Sequence, residues 1–197
     1  MSATCRILTL GAILLLTACS ATTPAFDNAP EDESRRVQSL DRALLALGPD
    51  VDPFESKRAA RIAIGYSKTL ATEYDLAGSP LFHNLMVQFG ARERGLCIHW
   101  TTDLMARLKQ ENFQSLDLHR AIANYETLFR FEHSSVIISA KGDTYEDGLV
   151  LDPWRNSGVL HWAPTLADSG YRWEPRAEVH QLKRLNQATV ENRQALR

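Results

Sequence analysis

Apolar residues recur along the chain at two spacings, and the change from one to the other divides it. Val37, Leu40, Leu44 and Leu47 stand three or four residues apart, which predicts a helix over 34–47 that ends at Gly48-Pro49. Asp52-Pro53-Phe54-Glu55 then reads as a helix start, with Asp as the cap, Pro at the first position and Glu at the third. That second helix is expected to run to Leu76 and stop at Gly78. Ser79-Pro80 repeats the start signal for a third helix, through about Phe89, ended by Gly90. A fourth begins near Gly95-Leu96-Cys97 and continues through Trp100, Thr101, Leu104, Met105 and Leu108.

After Asn112 the pattern changes. Ser115 to Arg130 fits either type: Ala121 to Phe129 suits a helix, yet Phe129-Arg130-Phe131 leads straight into a strand. His133 to Ala140 is rich in β-branched residues and bounded by Lys141-Gly142-Asp143, which predicts a strand. Gly148 to Asp152 predicts a second strand, stopped by Pro153, and Val159–Trp162 and Tyr171–Trp173 suggest two short ones. The polar tail from Pro175 is expected to be helical, with Val179, Leu182 and Leu185 as its apolar stripe. Helices first and strands second predict an α+β domain spanning 34–197.

The amino terminus has another character. One positive residue, Arg6, precedes an apolar run, Ile7 to Ala18, that is too short for a transmembrane helix, which needs ~20 apolar residues. Leu16-Thr17-Ala18-Cys19 resembles the lipobox of bacterial lipoproteins, whose signal peptide (here 1–18) is removed before the cysteine. The resemblance implies a diacylglyceryl thioether on Cys19, in many bacteria a further fatty acyl chain on the new amino terminus, and a membrane anchor. Ser20 in place of Asp points, by the same analogy, to the outer membrane facing the periplasm. Residues 19–33 are small, polar and Pro-containing, and read as a flexible tether.

Composition narrows the chemistry. A net charge of -2 is close to balance and leaves no electrostatic footprint for nucleic acid. Of three cysteines, Cys5 leaves with the signal and Cys19 takes the lipid, so Cys97 is the one free thiol of the mature chain. Cys97 stands just after Gly95, where a helix begins. The helix dipole and the unpaired amides of a first turn stabilise a thiolate and an oxyanion there. His133 opens one strand and Asp152 closes the next, which supplies a base and its orienting partner.

A two-residue turn at Gly142-Asp143 would pair residues whose numbers sum to 285 and set His133 directly opposite Asp152. A loop over 141–148 would instead set Asp152 opposite Ile137 and require a bulge. Asn84 is a candidate oxyanion donor, or simply a polar residue on a helix surface. His119 is a reserve base. Trp154, Arg155, Trp162 and Trp173 either line a groove or cap the core. Cys97 and His99, two apart on a helix, point different ways, and with no second cysteine no metal site is expected.

Arg94-Gly95-Leu96-Cys97-Ile98-His99-Trp100 at a helix start resembles the Gly-x-Cys element of the transglutaminase-like cysteine enzymes. His133 with the strand that follows, and Leu151-Asp152-Pro153, resemble that superfamily's His strand and Leu-Asp-Pro element, in the same order. The resemblance covers about Leu81 to Arg155. It implies a papain-like core in which the Cys helix packs on an antiparallel sheet carrying His and Asp. Ser134-Ser135 depart from the aromatic often found after the family's His, and His99 and Trp100 have no family role. The expected function is a thiol enzyme acting on amide bonds of protein or peptidoglycan-peptide substrates, a peptidase or amidase or else an acyl transferase, with no cofactor. The competing readings are an inactive papain-like binding module and a structural lipoprotein whose Cys97 is inert.

Overall fold

The computed structural model describes residues 30–127 and 130–195. The segment read as a signal peptide, Cys19 and most of the stretch read as a tether lie outside them. Five helices and a five-stranded antiparallel sheet make an α+β fold. The helices are α1 (Pro30–Leu45), α2 (Pro53–Glu73), α3 (Pro80–Gln88), α4 (Cys97–Lys109) and α5 (Arg176–Ala195). The strands are β1 (Leu116–Ala123), β2 (His133–Ala140), β3 (Leu149–Asp152), β4 (His161–Pro164) and β5 (Glu174–Pro175), arranged β4-β3-β2-β1-β5.

The helix starts follow from their caps. Asp52 accepts hydrogen bonds from the amides of Phe54 and Glu55, and Ser79 accepts one from Phe82, each with Pro in the first turn. Helix α1 starts inside the stretch read as a tether, since Pro30 can open a helix and Asp32 and Glu33 favour its positive end. Helix α2 ends earlier than Leu76. Asp75 takes up a left-handed φ of 47°, the stop expected of Gly78.

Residues 116–123 are a strand, which corrects the helical option for Ala121 to Ala123. β1 pairs with β2 along its whole length, from Leu116↔Ala140 to Ala123↔His133, and this tertiary pairing decides what the local sequence leaves open. The last two strands lie later than expected, at His161–Pro164 and Glu174–Pro175. Among the residues of α5 whose burial is described only Val179 is buried, while Leu182 and Leu185 are exposed, so the expected stripe of these three is reduced to one anchor.

Side chains alternate across the sheet. Val136, Ile138, Leu149 and Leu151 face α1, α2 and α4 and pack with Leu40, Leu44, Leu104 and Leu108 in the main core. Ile137, Val150, Ala121 and Ala123 face the other way, under Trp173 and the partly buried Tyr145 and Tyr171. His133 and Asp152 belong by parity to this second face.

Candidate active site

The turn after β2 matches neither hairpin expected. Ile138 pairs with Leu149 and Val136 with Leu151, so paired numbers sum to 287. The reason is local. A β-turn closes on Asp143 N to Ala140 O with Gly142 at φ 87°, and a short 3₁₀ turn, Tyr145–Asp147, uses up the remaining residues. Continued by one pair, this register sets Asp152 opposite Ser135, which makes His133 and Asp152 diagonal neighbours on one face. That distance is within reach of an imidazole. No bulge is needed, and His133 Nε2 lies 2.7 Å from Asp152 Oδ2.

Both side chains are buried, 3% and 1% exposed. The His133 ring is enclosed by Trp154, Tyr171 and Trp173, with centroids 4.7, 4.6 and 5.3 Å away. Burial disfavours its protonated form. The Asp152 carboxylate, the hydrogen bond to it and the nearby Cys97 sulfur outweigh burial and raise the pKa to about 9. Burial would raise Asp152, yet His133 and Arg155 hold its carboxyl below the usual carboxylate range. With Nε2 committed to Asp152, His133 Nδ1 is buried without a hydrogen-bond partner, and it is the nitrogen left for the sulfur.

Cys97 is the first residue of α4 and is half-buried, with Sγ 3.6 Å from the carbonyl oxygen of Glu132, the neighbour of His133. Its position is fixed from both sides. Upstream, Gly95 has φ 119°, and a Cβ there would lie 2.1 Å from His83 Nε2. His83 is buried and lies between the Arg94 carbonyl, 2.8 Å from Nε2, and the Ala77 amide, 3.2 Å from Nδ1. Downstream, His99 Nδ1 accepts from the amides of Gly95 and Leu96, at 3.1 and 3.3 Å, so this ring closes the helix start where Leu96 has no capping side chain. Burial lowers the pKa of His99, which suits a neutral acceptor. Trp100 Nε1 donates to Gly95 O at 2.9 Å, and Thr101 Oγ1 lies 2.7 Å from Ser134 O, tying α4 to β2. His99 and Trp100, unassigned in the sequence, build the turn that presents Cys97.

Cys97 and His133 line a cleft of about 520 Å³, walled by Pro80, Leu81, Phe131, Trp154 and Tyr171, with Asp152 buried behind His133. Leu81 is 56% exposed and Phe131 70% exposed, so the cleft has apolar lips. Asn84 lines it too, and its amide orientation is determined. Trp154 Nε1 can only donate, so it faces Asn84 Oδ1, 3.1 Å away, and leaves Nδ2 as a donor. His119 is not brought here. It bonds Ser139 and stands opposite Ile137, four residues along β1 from the His133 end.

Of the four residues read as groove or core, Trp154 and Arg155 line the cleft. Trp173 is buried in the second cluster, and Trp162 packs partly buried against the main core. Asp168 and Tyr171 are additions that no sequence signal marked. Among the described residues no group of three His, Cys, Asp or Glu side chains is arranged to hold a metal, and no helix is long and apolar enough to cross a membrane. Compared with known proteins, the chain matches no family model, no curated protein and no solved structure.

Proposed function

We propose that this chain is a thiol enzyme that cleaves amide bonds through an acyl-enzyme, with Cys97 as nucleophile, His133 as acid and base, and Asp152 as the group that orients and charges His133. The observation that carries this reading is the buried His133–Asp152 pair, whose remaining ring nitrogen is unpartnered beside a thiol at a helix start. An imidazolium next to the sulfur is the partner a thiolate nucleophile requires. The arrangement fits the papain-like core of the transglutaminase-like enzymes: a Cys helix on an antiparallel sheet with His and Asp on adjacent strands.

The sulfur attacks the substrate carbonyl carbon, forming the C–S bond while the carbonyl π pair moves to oxygen. The Cys97 amide and Asn84 Nδ2 donate to that oxyanion. His133 then gives its proton to the departing nitrogen as the C–N bond breaks, leaving a thioester and an amine. Water, losing a proton to the now neutral His133, cleaves the thioester and restores the thiolate–imidazolium pair. Hydrolysis is favoured over transfer because, among the described residues, nothing in the cleft marks a second, amine-binding subsite. Acid quenching during turnover of a peptide mixture should trap a mass increment on Cys97 that hydroxylamine removes. Absence of any adduct on native protein, with Cys97 labelled only after denaturation, would count against an acyl-enzyme.

Asn84→Ala removes one oxyanion donor. It is expected to lower kcat by about 10²-fold with little change in KM, the pattern of a bond made in the transition state. Equal kcat values in mutant and parent would remove Asn84 from the mechanism.

The lipobox-like Leu16-Thr17-Ala18-Cys19 supports export and lipid anchoring in a bacterial envelope, which limits substrates to proteins or peptidoglycan peptides within a tether's reach. Metabolic labelling with palmitate, abolished in Cys19→Ala, is the expected result; equal labelling of both would contradict it.

A further inference from the structure

Behind the His133–Asp152 pair lies a second ionic layer. Arg155 Nε donates to Asp152 Oδ2 at 3.0 Å, the same oxygen that His133 engages, and the Arg155 amide donates to Asp152 Oδ1 at 3.2 Å. The two terminal nitrogens of Arg155 then grip Asp168 in a fork, at 2.9 and 2.7 Å. Asp168 also accepts from Trp173 Nε1 at 2.9 Å and from the Gly170 amide at 3.0 Å, and its side chain is only 2% exposed. The guanidinium lies over the Tyr171 ring, 4.7 Å from its centroid, and Tyr171 in turn packs at a tilt against the His133 ring. Burying three charges in a row is costly unless each is paired, and here every one is.

We propose that Arg155, locked by Asp168, is a positioning residue that fixes the Asp152 carboxylate against His133 and sets how firmly that ring holds its proton. The inference rests on the proposed thiol chemistry. A planar fork suits the role because it holds Asp168 at two points while its Nε remains free for Asp152. Arg155 shares the Asp152 oxygen with His133, so its charge competes with the imidazolium for the same carboxylate. Asp168 moderates that competition by neutralising the guanidinium. The other groups facing the pair are Cys97 from α4, His161 paired with Asp152 across β3 and β4, and Tyr171. Glu132 adjoins His133 in the chain and is paired with Lys183 of α5, and Arg130 sits over Tyr171.

The test is the NMR titration of the His133 ring in the full chain, assigned by its loss in His133→Ala. It is read together with alkylation of Cys97 by iodoacetate across pH. Arg155→Gln removes the nearer positive charge and is expected to raise the His133 titration midpoint by about one pH unit. Asp168→Asn leaves Arg155 unbalanced and is expected to lower it by a smaller amount, because Asp168 is the more distant charge. The double variant Arg155→Gln/Asp168→Asn is neutral and keeps the shape, so it serves if a single variant does not fold. It is expected to shift upward by less than Arg155→Gln, because the nearer charge dominates. Arg155→Lys should restore a midpoint close to that of the parent. A His133 midpoint unchanged in Arg155→Gln and in the double variant, with Cys97 still reacting in a His133-dependent way, would overturn the positioning role alone. Loss of His133-dependent reactivity in the parent protein would instead overturn the thiol-enzyme reading beneath it.

Discussion

Asp152→Asn is expected to lose both stability and reactivity, by more than any other conservative change at the site. Three donors converge on the Asp152 carboxylate: His133 Nε2, Arg155 Nε and the Arg155 amide. Asn offers one oxygen where two are used, and its amide would turn a donor towards donors. His133 Nε2 and Arg155 Nε would be left to share a single oxygen in the interior, although Asp168 still holds the far end of the guanidinium. Removing one partner of such a buried ionic set costs about 3–5 kcal/mol, and a domain of this size loses ~2–4 °C of Tm per kcal/mol, so a fall of roughly 10 °C is expected in calorimetry.

The pH dependence separates this cause from ordinary misfit. His133 holds its proton to about pH 9 in the fold, against 6.5 for an unperturbed ring. Its contribution is therefore whole below pH 6.5 and gone once the pH has risen past about 9, a difference of at most about 3 kcal/mol. The parent protein should lose stability across that window, and Asp152→Asn should lose far less. A variant that matches the parent in Tm at pH 7, or that keeps the same slope between pH 6.5 and 9, would show that the ion pair does not act as described.

Gly95→Ala should damage the site from the other side. A φ of 119° is strained for any residue with a Cβ, and the added atom would lie 2.1 Å from a His83 ring that hydrogen bonds hold at both nitrogens. That ring is buried, so it cannot swing aside as a surface side chain would. Strain and overpacking together should cost about 3 kcal/mol in urea denaturation. The larger effect is on chemistry. Cys97 is two residues away, and a displacement of about 1 Å at a nucleophile lowers rate by about 10²-fold. Unchanged stability together with unchanged thiol reactivity would mean that the Gly95 turn is not what positions Cys97.

Much of the fold was legible because its signals are local. Asp52-Pro53 and Ser79-Pro80 act within one turn, and β2 runs from His133 to Ala140 as its β-branched residues imply. β1 was not legible, because Leu116 to Ala123 becomes a strand through its pairing with β2. The hairpin register was missed by two residues because a 3₁₀ turn, Tyr145–Asp147, lies hidden in a polar loop. The shift preserved parity, which is why His133 and Asp152 still share a face. His83 and His99 carry no motif. Their importance lies in where their rings point, and that depends on the Gly95 turn. Asp168 was invisible for a similar reason, since its partner Arg155 is 13 residues away and meets it only through the fold.

The most direct test of the central claim is the reaction of native Cys97 with iodoacetamide at pH 6, followed by mass spectrometry of the Cys97 peptide. An unassisted thiol, with a pKa near 8.5, is almost wholly protonated and slow at that pH. With His133 charged beside it, Cys97 is expected to alkylate at least about 10-fold faster than a free cysteine peptide, and His133→Ala is expected to abolish the excess. A Cys97 that reacts no faster than the free peptide at pH 6, or equally fast with and without His133, would contradict the account.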